Sequence, residues 1–411
     1  MRIERGSRSG RGFFLPNLFR RSATEWCNVW LLAAVAAAPH FACESAGRPT
    51  DAGSSFEDGG RTDGFSEAAP DSGEVADPDG EMIEGGADEG GDVSSPDGSV
   101  DARTELVWRE LARQETTRLV SGGVWDGRLY AGTHLGGASA IYDYPPFREQ
   151  QVFGGESVLD FCAFAGTLFS SHENGPRIYR LTGDSWELAH DHGSGWVYMF
   201  FLTVFRGSLW ATGGTAEFVG LLESTDGSTY AERAVLPGWN WLPVVYRDLL
   251  YVVGHDGAAY SPEPASGYAS PDGIRFDRVE ALTGGPEYQC ACVWRDELFL
   301  GTGGWTNDRG NDASARIYVF DGMNRTEVFA TDRNGVTDLI AFRGRLYATV
   351  DSGWERPEGD SRLYESVDGT TWSIVRTFPD PELRHMETLG DDTLVVYGGR
   401  AGDYGVLYAG E

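Results

Sequence analysis

One short phrase recurs seven times along the C-terminal three quarters of this chain. Each copy has a tight turn, then a Leu and, in six of the seven, an aromatic residue directly after that Leu. The anchor residues are Leu129, Leu168, Leu209, Leu250, Leu298, Leu346 and Leu394. They stand 39 to 48 residues apart, which is the period of a four-stranded propeller blade. The sequence therefore predicts an all-β fold, a seven-bladed β-propeller, over residues 103–411.

The units share one internal pattern, which also predicts how the ring closes. An apolar run before each turn is typical of an innermost strand that packs between two neighbouring blades. The last unit reaches only its third strand before residue 411, while residues 105–111 resemble the outer strand at 185–188. We expect residues 105–111 to complete the last blade, since an open blade would leave unpaired strand edges.

The first 43 residues resemble an export signal. Six Arg residues lie within the first 21 positions, and residues 29–38 form an apolar run too short to span a bilayer. Cys43 follows Ala42 at its end, which resembles the lipobox of bacterial lipoproteins, although His40 departs from that pattern. The resemblance implies a lipid anchor on Cys43 and a place in the cell envelope. Ordinary signal cleavage after residues 36–38 is the alternative.

Residues 44–102 have the composition of a disordered acidic linker. They hold 17 acidic residues and two Arg, giving a net charge of −15, and cannot bury enough apolar surface to fold.

The whole chain carries a net charge of −30, so nucleic acid is not expected as a partner. The chain contains no Lys, which excludes a P-loop or Schiff-base lysine. We expect a monomer that touches a membrane only through its anchor.

Three units carry a Ser-x-Asp-Gly phrase followed by an aromatic residue, with its acidic residues at Asp226, Asp272 and Asp368. It is similar to the Asp-box of sialidase-like (BNR) propeller repeats, with one residue fewer between Asp and Gly. In that family these boxes lie opposite the catalytic face, so the resemblance implies a structural role for all three Asp residues.

The same resemblance allows a test for sialidase chemistry. The family implies three Arg residues that clamp a carboxylate, a Tyr–Glu nucleophile pair and an Asp acid/base. Its early Phe/Tyr-Arg-Ile-Pro motif is absent: Arg177-Ile178-Tyr179 lacks the Pro, and Arg316 lies in the wrong unit. We therefore do not expect sialidase activity.

Loop aromatic residues mark the face where a ligand is expected. The candidate ligand-binding residues are Trp196, Trp239, Trp241, Tyr288, Trp305 and Trp354. Exposed rings there would suit stacking on sugars. The alternative is that these rings pack the loops onto the blades.

Two carboxylates, Asp160 and Asp338, occupy the same place near the start of inner strands. They are the candidate catalytic residues if the protein is an enzyme, and water-solvated channel lining is the alternative. We expect no metal and no cofactor.

The leading hypothesis is an exported, non-enzymatic propeller that binds a glycan or a protein. The alternative is a carbohydrate-active hydrolase or lyase of the Asp-box propeller group.

Overall fold

The computed structural model describes residues 105–411 except 116, 135–137, 194, 259–262, 304–314, 352–358 and 401–402. The predicted signal segment 1–43, with Cys43, and the predicted linker 44–102 lie outside the described residues. No helix in the described part is long and apolar enough to cross a membrane.

The described chain forms seven antiparallel sheets of four strands each, numbered here in chain order. The inner strands are β2 (Arg118–Trp125), β6 (Ser157–Phe164), β10 (Tyr198–Phe205), β14 (Trp239–Tyr246), β18 (Tyr288–Trp294), β22 (Gly335–Phe342) and β26 (Leu383–Leu389). The second strands are β3 (Arg128–His134), β7 (Thr167–Glu173), β11 (Ser208–Gly214), β15 (Leu249–His255), β19 (Glu297–Thr302), β23 (Arg345–Asp351) and β27 (Thr393–Arg400).

The outer half of each blade completes the four strands. The third strands are β4 (Ala138–Tyr144), β8 (Arg177–Thr182), β12 (Phe218–Ser224), β16 (Ala265–Ser270), β20 (Arg316–Phe320), β24 (Ser361–Ser366) and β28 (Tyr404–Gly410). The outermost strands are β5 (Arg148–Gly154), β9 (Ser185–Asp191), β13 (Ala231–Pro237), β17 (Asp277–Arg278), β21 (Arg325–Ala330), β25 (Trp372–Phe378) and β1 (Trp108–Glu115). A single 3₁₀ turn, Glu280–Leu282, follows β17 within the described residues.

Each inner strand contacts the inner strands of both neighbouring blades, and contact between β2 and β26 closes the ring. The seven-bladed propeller predicted from the repeats is confirmed. Apolar clusters fill the spaces between blades, as where Trp210 of the third blade packs with Leu250 and Val252 of the fourth. The core is therefore divided into layers shared by neighbouring blades, and the largest layer spans blades three, four and five.

The N-terminal strand closes the last blade, as the sequence predicts. Strand β1 pairs with β28, from Trp108 opposite Gly410 to Glu115 opposite Tyr404. Main-chain hydrogen bonds continue the pairing in both directions between Val107 and Glu411, at 3.0 and 3.2 Å. The pairing covers the edge that β28 would otherwise expose.

Six of the seven turns between inner and second strands share one geometry, and the seventh differs. In the six, both central residues have positive φ, as at Asp126 (50°) and Gly127 (71°), which matches the twist of a two-residue hairpin. In the last blade three residues separate Leu389 from Thr393, which are paired. The extra residue moves the inner strand by one position relative to the anchor Leu. His385, and not Met386, therefore occupies the place of Asp160 and Asp338.

Candidate functional site

The ring has two unlike ends. The lower face contains the turns that join inner to second strands, and the upper face contains the beginnings of inner strands and the ends of second strands. On the lower face the guanidinium groups of four turn residues stack on the aromatic ring that precedes them: Arg206, Arg247, Arg295 and Arg343. Three of the four also donate to the next blade's turn, as Arg343 does to the Asp392 main-chain oxygen at 3.0 Å. These cations hold blades together.

The upper face carries a buried chain of polar pairs across blades six, seven, one and two. Arg118 donates to Glu382 at 2.7 Å, with 2 % and 3 % of the two side chains exposed. Arg384 lies 2.9 Å from the carboxylate of Asp351. Burial, and next the Arg384 cation, lower the pKa of Arg118 to about 9, so it remains charged at neutral pH beside Glu382. Each of these two cations is thus paired with a buried carboxylate.

A His–Glu contact extends this chain to the second blade. His134 ends β3 and Glu173 ends β7, and Nε2 of His134 lies 2.8 Å from Oε1 of Glu173. Burial lowers the pKa of His134. Burial is the largest influence on the pKa of Glu173 and would raise it, but His134, Ser157 and the Arg118 cation together outweigh burial, and the net shift is downward. Neutral His134 therefore donates to an ionised carboxylate. We call this pair closed, because the two side chains bond to each other.

A second His–Glu pair on the upper face is open. His255 ends β15, Glu287 directly precedes β18, and Nε2 of His255 lies 3.8 Å from Oε1 of Glu287. His255 is 1 % exposed, yet within the described part of the chain neither of its ring nitrogens has a hydrogen-bond partner, and neither has Oε1 of Glu287. The Nε2 amide of Gln289, two residues further along, is also buried and unbonded. Three side chains at the junction of blades four and five are thus unsatisfied.

The open pair carries no charge at neutral pH. Burial lowers the pKa of His255 to about 4, against the opposing effect of the Asp256 carboxylate. Burial raises the pKa of Glu287 to about 8, although the nearby Gln289 amide favours the ionised form. The site therefore presents a neutral imidazole and a neutral carboxylic acid.

The candidate catalytic residues Asp160 and Asp338 lie deeper, at the inner edge of the ring, where they join neighbouring blades. Asp160 accepts the main-chain N–H of Leu202 at 2.8 Å, and Asp338 accepts that of Met386 at 2.7 Å. Each also accepts the N–H of the residue that follows it. Burial nevertheless raises the pKa of both carboxyls to about 7. Their oxygens are occupied by inner-strand amides, which is a structural role.

A third inward carboxyl, Glu387, is one that the sequence patterns do not single out. Burial, then the Asp338 and Asp160 charges, raise its pKa well above the usual range. Burial also raises the pKa of the Cys162 and Cys292 thiols to about 12. Neither thiol is therefore a nucleophile at neutral pH.

Four of the predicted ligand-binding rings lie within the described residues, and all four are buried: Trp196, Trp239, Trp241 and Tyr288. Trp196 lies over Gly213 and Gly220, where a Cβ atom would meet the ring. Trp241 donates to the Tyr288 main-chain oxygen at 3.3 Å. Close packing onto glycines and neighbouring strands leaves these four rings without exposed stacking faces, which is the packing alternative. The other two candidates, Trp305 and Trp354, lie outside the described residues.

The three Ser-x-Asp-Gly turns are closed by their own side chains. Oδ1 of Asp226 accepts the N–H groups of Ser228 and Thr229 at 2.8 and 2.7 Å, and these bonds hold the pKa of Asp226 far below its usual range. Asp272 and Asp368 make the same pair of bonds. Each carboxylate is committed to its own turn.

Among the described residues no group of three or more His, Cys, Asp or Glu side chains could hold a metal ion. The sequence patterns did not assign a role to His255, Glu287 or Gln289. One signal was present: Glu287, like Glu382, is a charged residue directly before an inner strand. Its partner lies on another blade, which a repeat alignment does not reveal.

Comparison with known proteins establishes the fold and nothing finer. No family model matches the chain, and no curated protein matches it. Among solved structures, a chain of a mitotic checkpoint complex is 12 % identical, covering 73 % of this chain and 93 % of its own, with a TM-score of 0.51. A luciferin-regenerating enzyme is 14 % identical, covering 74 % and 95 %, with a TM-score of 0.44. The designed protein Ika8 is 11 % identical, covering 73 % and 99 %, with a TM-score of 0.45.

Proposed function

We propose that this chain is an exported, lipid-anchored binding protein whose propeller takes up a ligand on its upper face and does not transform it. One observation carries the proposal: His255, Glu287 and Gln289 hold buried polar atoms that meet no partner among the described residues. Buried donors and acceptors left unpaired are costly and rare. A ligand that pairs with them would recover that free energy on binding.

The contrast between the two faces supports placing the ligand on the upper face. On the lower face, turn Arg residues stack on rings, and three of them donate to the next blade. On the upper face, the chain from Asp351 to Glu173 is likewise paired. At the junction of blades four and five, by contrast, the described residues offer no partner to the buried polar atoms of His255, Glu287 and Gln289.

The state of the described carboxyls and thiols supports binding over catalysis. A glycosidase needs one carboxyl to protonate the leaving group and a second to act as nucleophile or base. Asp160 and Asp338 are engaged by main-chain amides. The carboxylate nearest the open pair, Asp256, is held by Arg278 at 2.9 Å and by the Tyr268 hydroxyl at 2.9 Å. Glu287 is thus protonated and could donate a proton, but the described residues provide no unpaired second carboxylate to act as nucleophile or base.

Export and anchoring rest on the sequence of residues 1–43. Metabolic labelling with a palmitate analogue should mark the wild-type chain and leave Cys43→Ser unlabelled. A wild-type chain that takes up no label would remove the anchor from the proposal, and the binding function would be judged separately.

The binding proposal is tested with the whole protein on a glycan array and, in parallel, on a panel of chromogenic glycosides. We expect retention of at least one glycan, no turnover of any glycoside, and loss of retention in the double variant His255→Leu/Glu287→Ala. The lower-face variant Arg295→Ala is the control and should bind as wild type. Turnover would establish the hydrolase alternative. Retention that survives the double variant would move the site elsewhere.

A further inference from the structure

The open pair also identifies a chemical class of ligand. Resting on the binding function proposed above, we infer that His255, Glu287 and Gln289 form a site for an uncharged ligand with neighbouring hydroxyl groups, which is the chemistry of a neutral sugar or polyol. The inference selects the glycan over the protein among the ligands that the sequence leaves open.

The two facing atoms of this pair are close but not bonded to each other. At 3.8 Å, Nε2 of His255 and Oε1 of Glu287 are too far apart to hydrogen-bond, and a ligand oxygen could bridge the gap between them by contacting both from one side. His255 is 1 % exposed, while 14 % of the Glu287 side chain remains accessible. Glu287 therefore lies at the solvent side of the pair and His255 at its closed end.

The unsatisfied atoms include both donors and acceptors. A neutral imidazole offers one donor and one acceptor, a protonated carboxyl offers an O–H donor and a carbonyl acceptor, and the Gln289 amide offers N–H donors. A hydroxyl group donates and accepts at once, so two adjacent hydroxyls can satisfy this set. A carbonyl or ether ligand, which only accepts, would leave the acceptor nitrogen of His255 unmet.

Charge argues against ionic ligands. His255 and Glu287 are both neutral at pH 7, so a buried ion would find no opposite charge in the pair. The neighbouring Asp256 is already neutralised by Arg278. An anionic or cationic sugar should thus bind less well than its neutral counterpart.

One side of the gap is aromatic. Trp239 stands directly opposite His255 in the β14–β15 pairing, which places the two side chains on the same face of the sheet. Half-buried Tyr198 meets the Trp239 ring edge-on, with centroids 5.2 Å apart. An apolar wall beside a few fixed polar groups is the usual composition of a small-ligand site.

The test measures binding of a small panel to the full-length protein at pH 7 by titration calorimetry and ligand-observed NMR. The neutral probes are glucose, galactose and myo-inositol, and the charged probes are glucuronate and glucosamine. We expect at least one neutral probe to bind at least about tenfold more tightly than either charged probe, the factor that one lost hydrogen bond represents.

Two variants distinguish a site that binds a ligand from a space that holds only water. Glu287→Gln keeps an uncharged side chain of the same shape and should retain affinity within about threefold. His255→Leu should weaken binding at least about tenfold. Wild-type affinity should also fall as the pH rises past 8, because Glu287 ionises there, and Glu287→Gln should lack that fall. Equal binding by wild type and His255→Leu, or loss of binding in Glu287→Gln, would overturn the inference.

The outcomes distinguish this inference from the proposed function. If no neutral probe binds while the array retains a charged glycan through the upper face, the ligand class is wrong and the binding function stands. If neither the panel nor the array shows binding, both fail.

Discussion

Nε2 of His134 lies 2.8 Å from Oε1 of Glu173, and this contact joins the first blade to the second. The open pair, three blades further round the ring, has the same two residue types at 3.8 Å. Both histidines end a second strand, so the difference lies in the partner: Glu173 ends a second strand, whereas Glu287 precedes an inner strand.

The two histidines should therefore differ in their contribution to stability. His134→Leu removes the donor to a largely buried carboxylate and should lower the free energy of unfolding by about 1–3 kcal/mol. His255→Leu replaces an unsatisfied polar group by an apolar one and should change stability by less than about 1 kcal/mol, in the favourable direction. Chemical denaturation of both variants measures the difference. An equal loss in the two would mean that His255 has a structural partner.

Closure by β1 predicts that a short deletion near residue 105 is far more damaging than one earlier in the chain. Deleting residues 105–115 exposes the edge of β28 and removes buried Leu106 from its cluster, so we expect no soluble folded protein. Deleting eleven residues from the predicted linker, 60–70, should leave the melting temperature unchanged. Circular dichroism and size exclusion distinguish the outcomes, and a cooperatively melting 105–115 deletion would contradict the role of β1.

The inward carboxyls predict a specific pH dependence. The pKa of Glu387 is raised in the folded state by burial and by Asp338 and Asp160, so the folded chain holds a proton that the unfolded chain releases above about pH 4.3. Stability from this group is complete at low pH and is lost as the pH rises toward the folded-state pKa. Between pH 5 and 8, wild type should lose at least about 1 kcal/mol more than Glu387→Gln.

Denaturation at the two pH values checks this prediction, with the exposed Glu232→Gln as control. Glu232→Gln should follow the wild-type curve across the whole range. Parallel curves for wild type and Glu387→Gln would show that the buried carboxyl titrates normally.

Two glycines with the same backbone angle predict how the Ser-x-Asp-Gly turns are packed. Gly127 and Gly227 both have φ of 71°, so an Ala at either position is strained by about 1–2 kcal/mol. A Cβ at Gly127 would meet nothing within 4 Å, whereas one at Gly227 would lie 2.5 Å from the Phe169 ring. Gly227→Ala should therefore cost at least about 1 kcal/mol more than Gly127→Ala, measured by thermal and urea unfolding. Equal losses would mean that the turn can move away from the ring.

The fold could be predicted from the sequence because each blade repeats the same local pattern. The anchor Leu residues are buried, and each follows the turn predicted for it. Counting from the anchor failed only in the last blade, where the extra residue in the 390–392 turn displaces the inner strand. Counting alone then assigns Met386 to a position that His385 occupies.

The candidate site could not be predicted in the same way. Its contacts join residues on different blades, such as His255 and Glu287, and their separation depends on the twist and radius of the closed ring. Whether the loop rings are exposed could not be predicted from the sequence either, because Trp196 is buried by packing onto Gly213 and Gly220. The hydrophobic pattern determines which residues are packed in the core. The distance of 3.8 Å between the side chains of His255 and Glu287 depends on how the complete ring is assembled.

The two hydrogen bonds between Val107 and Glu411 mean that the ring, as a three-dimensional object, has no first blade. A short added turn from residue 411 to residue 107, with a new opening at a lower-face turn such as Asp126–Gly127, would leave all seven sheets with the same strand neighbours. A circularly permuted gene should encode the same propeller with residues 1–106 joined to another blade. The blade that carries the N-terminal segment is therefore a separable property, which can be changed without altering the pairing of any sheet.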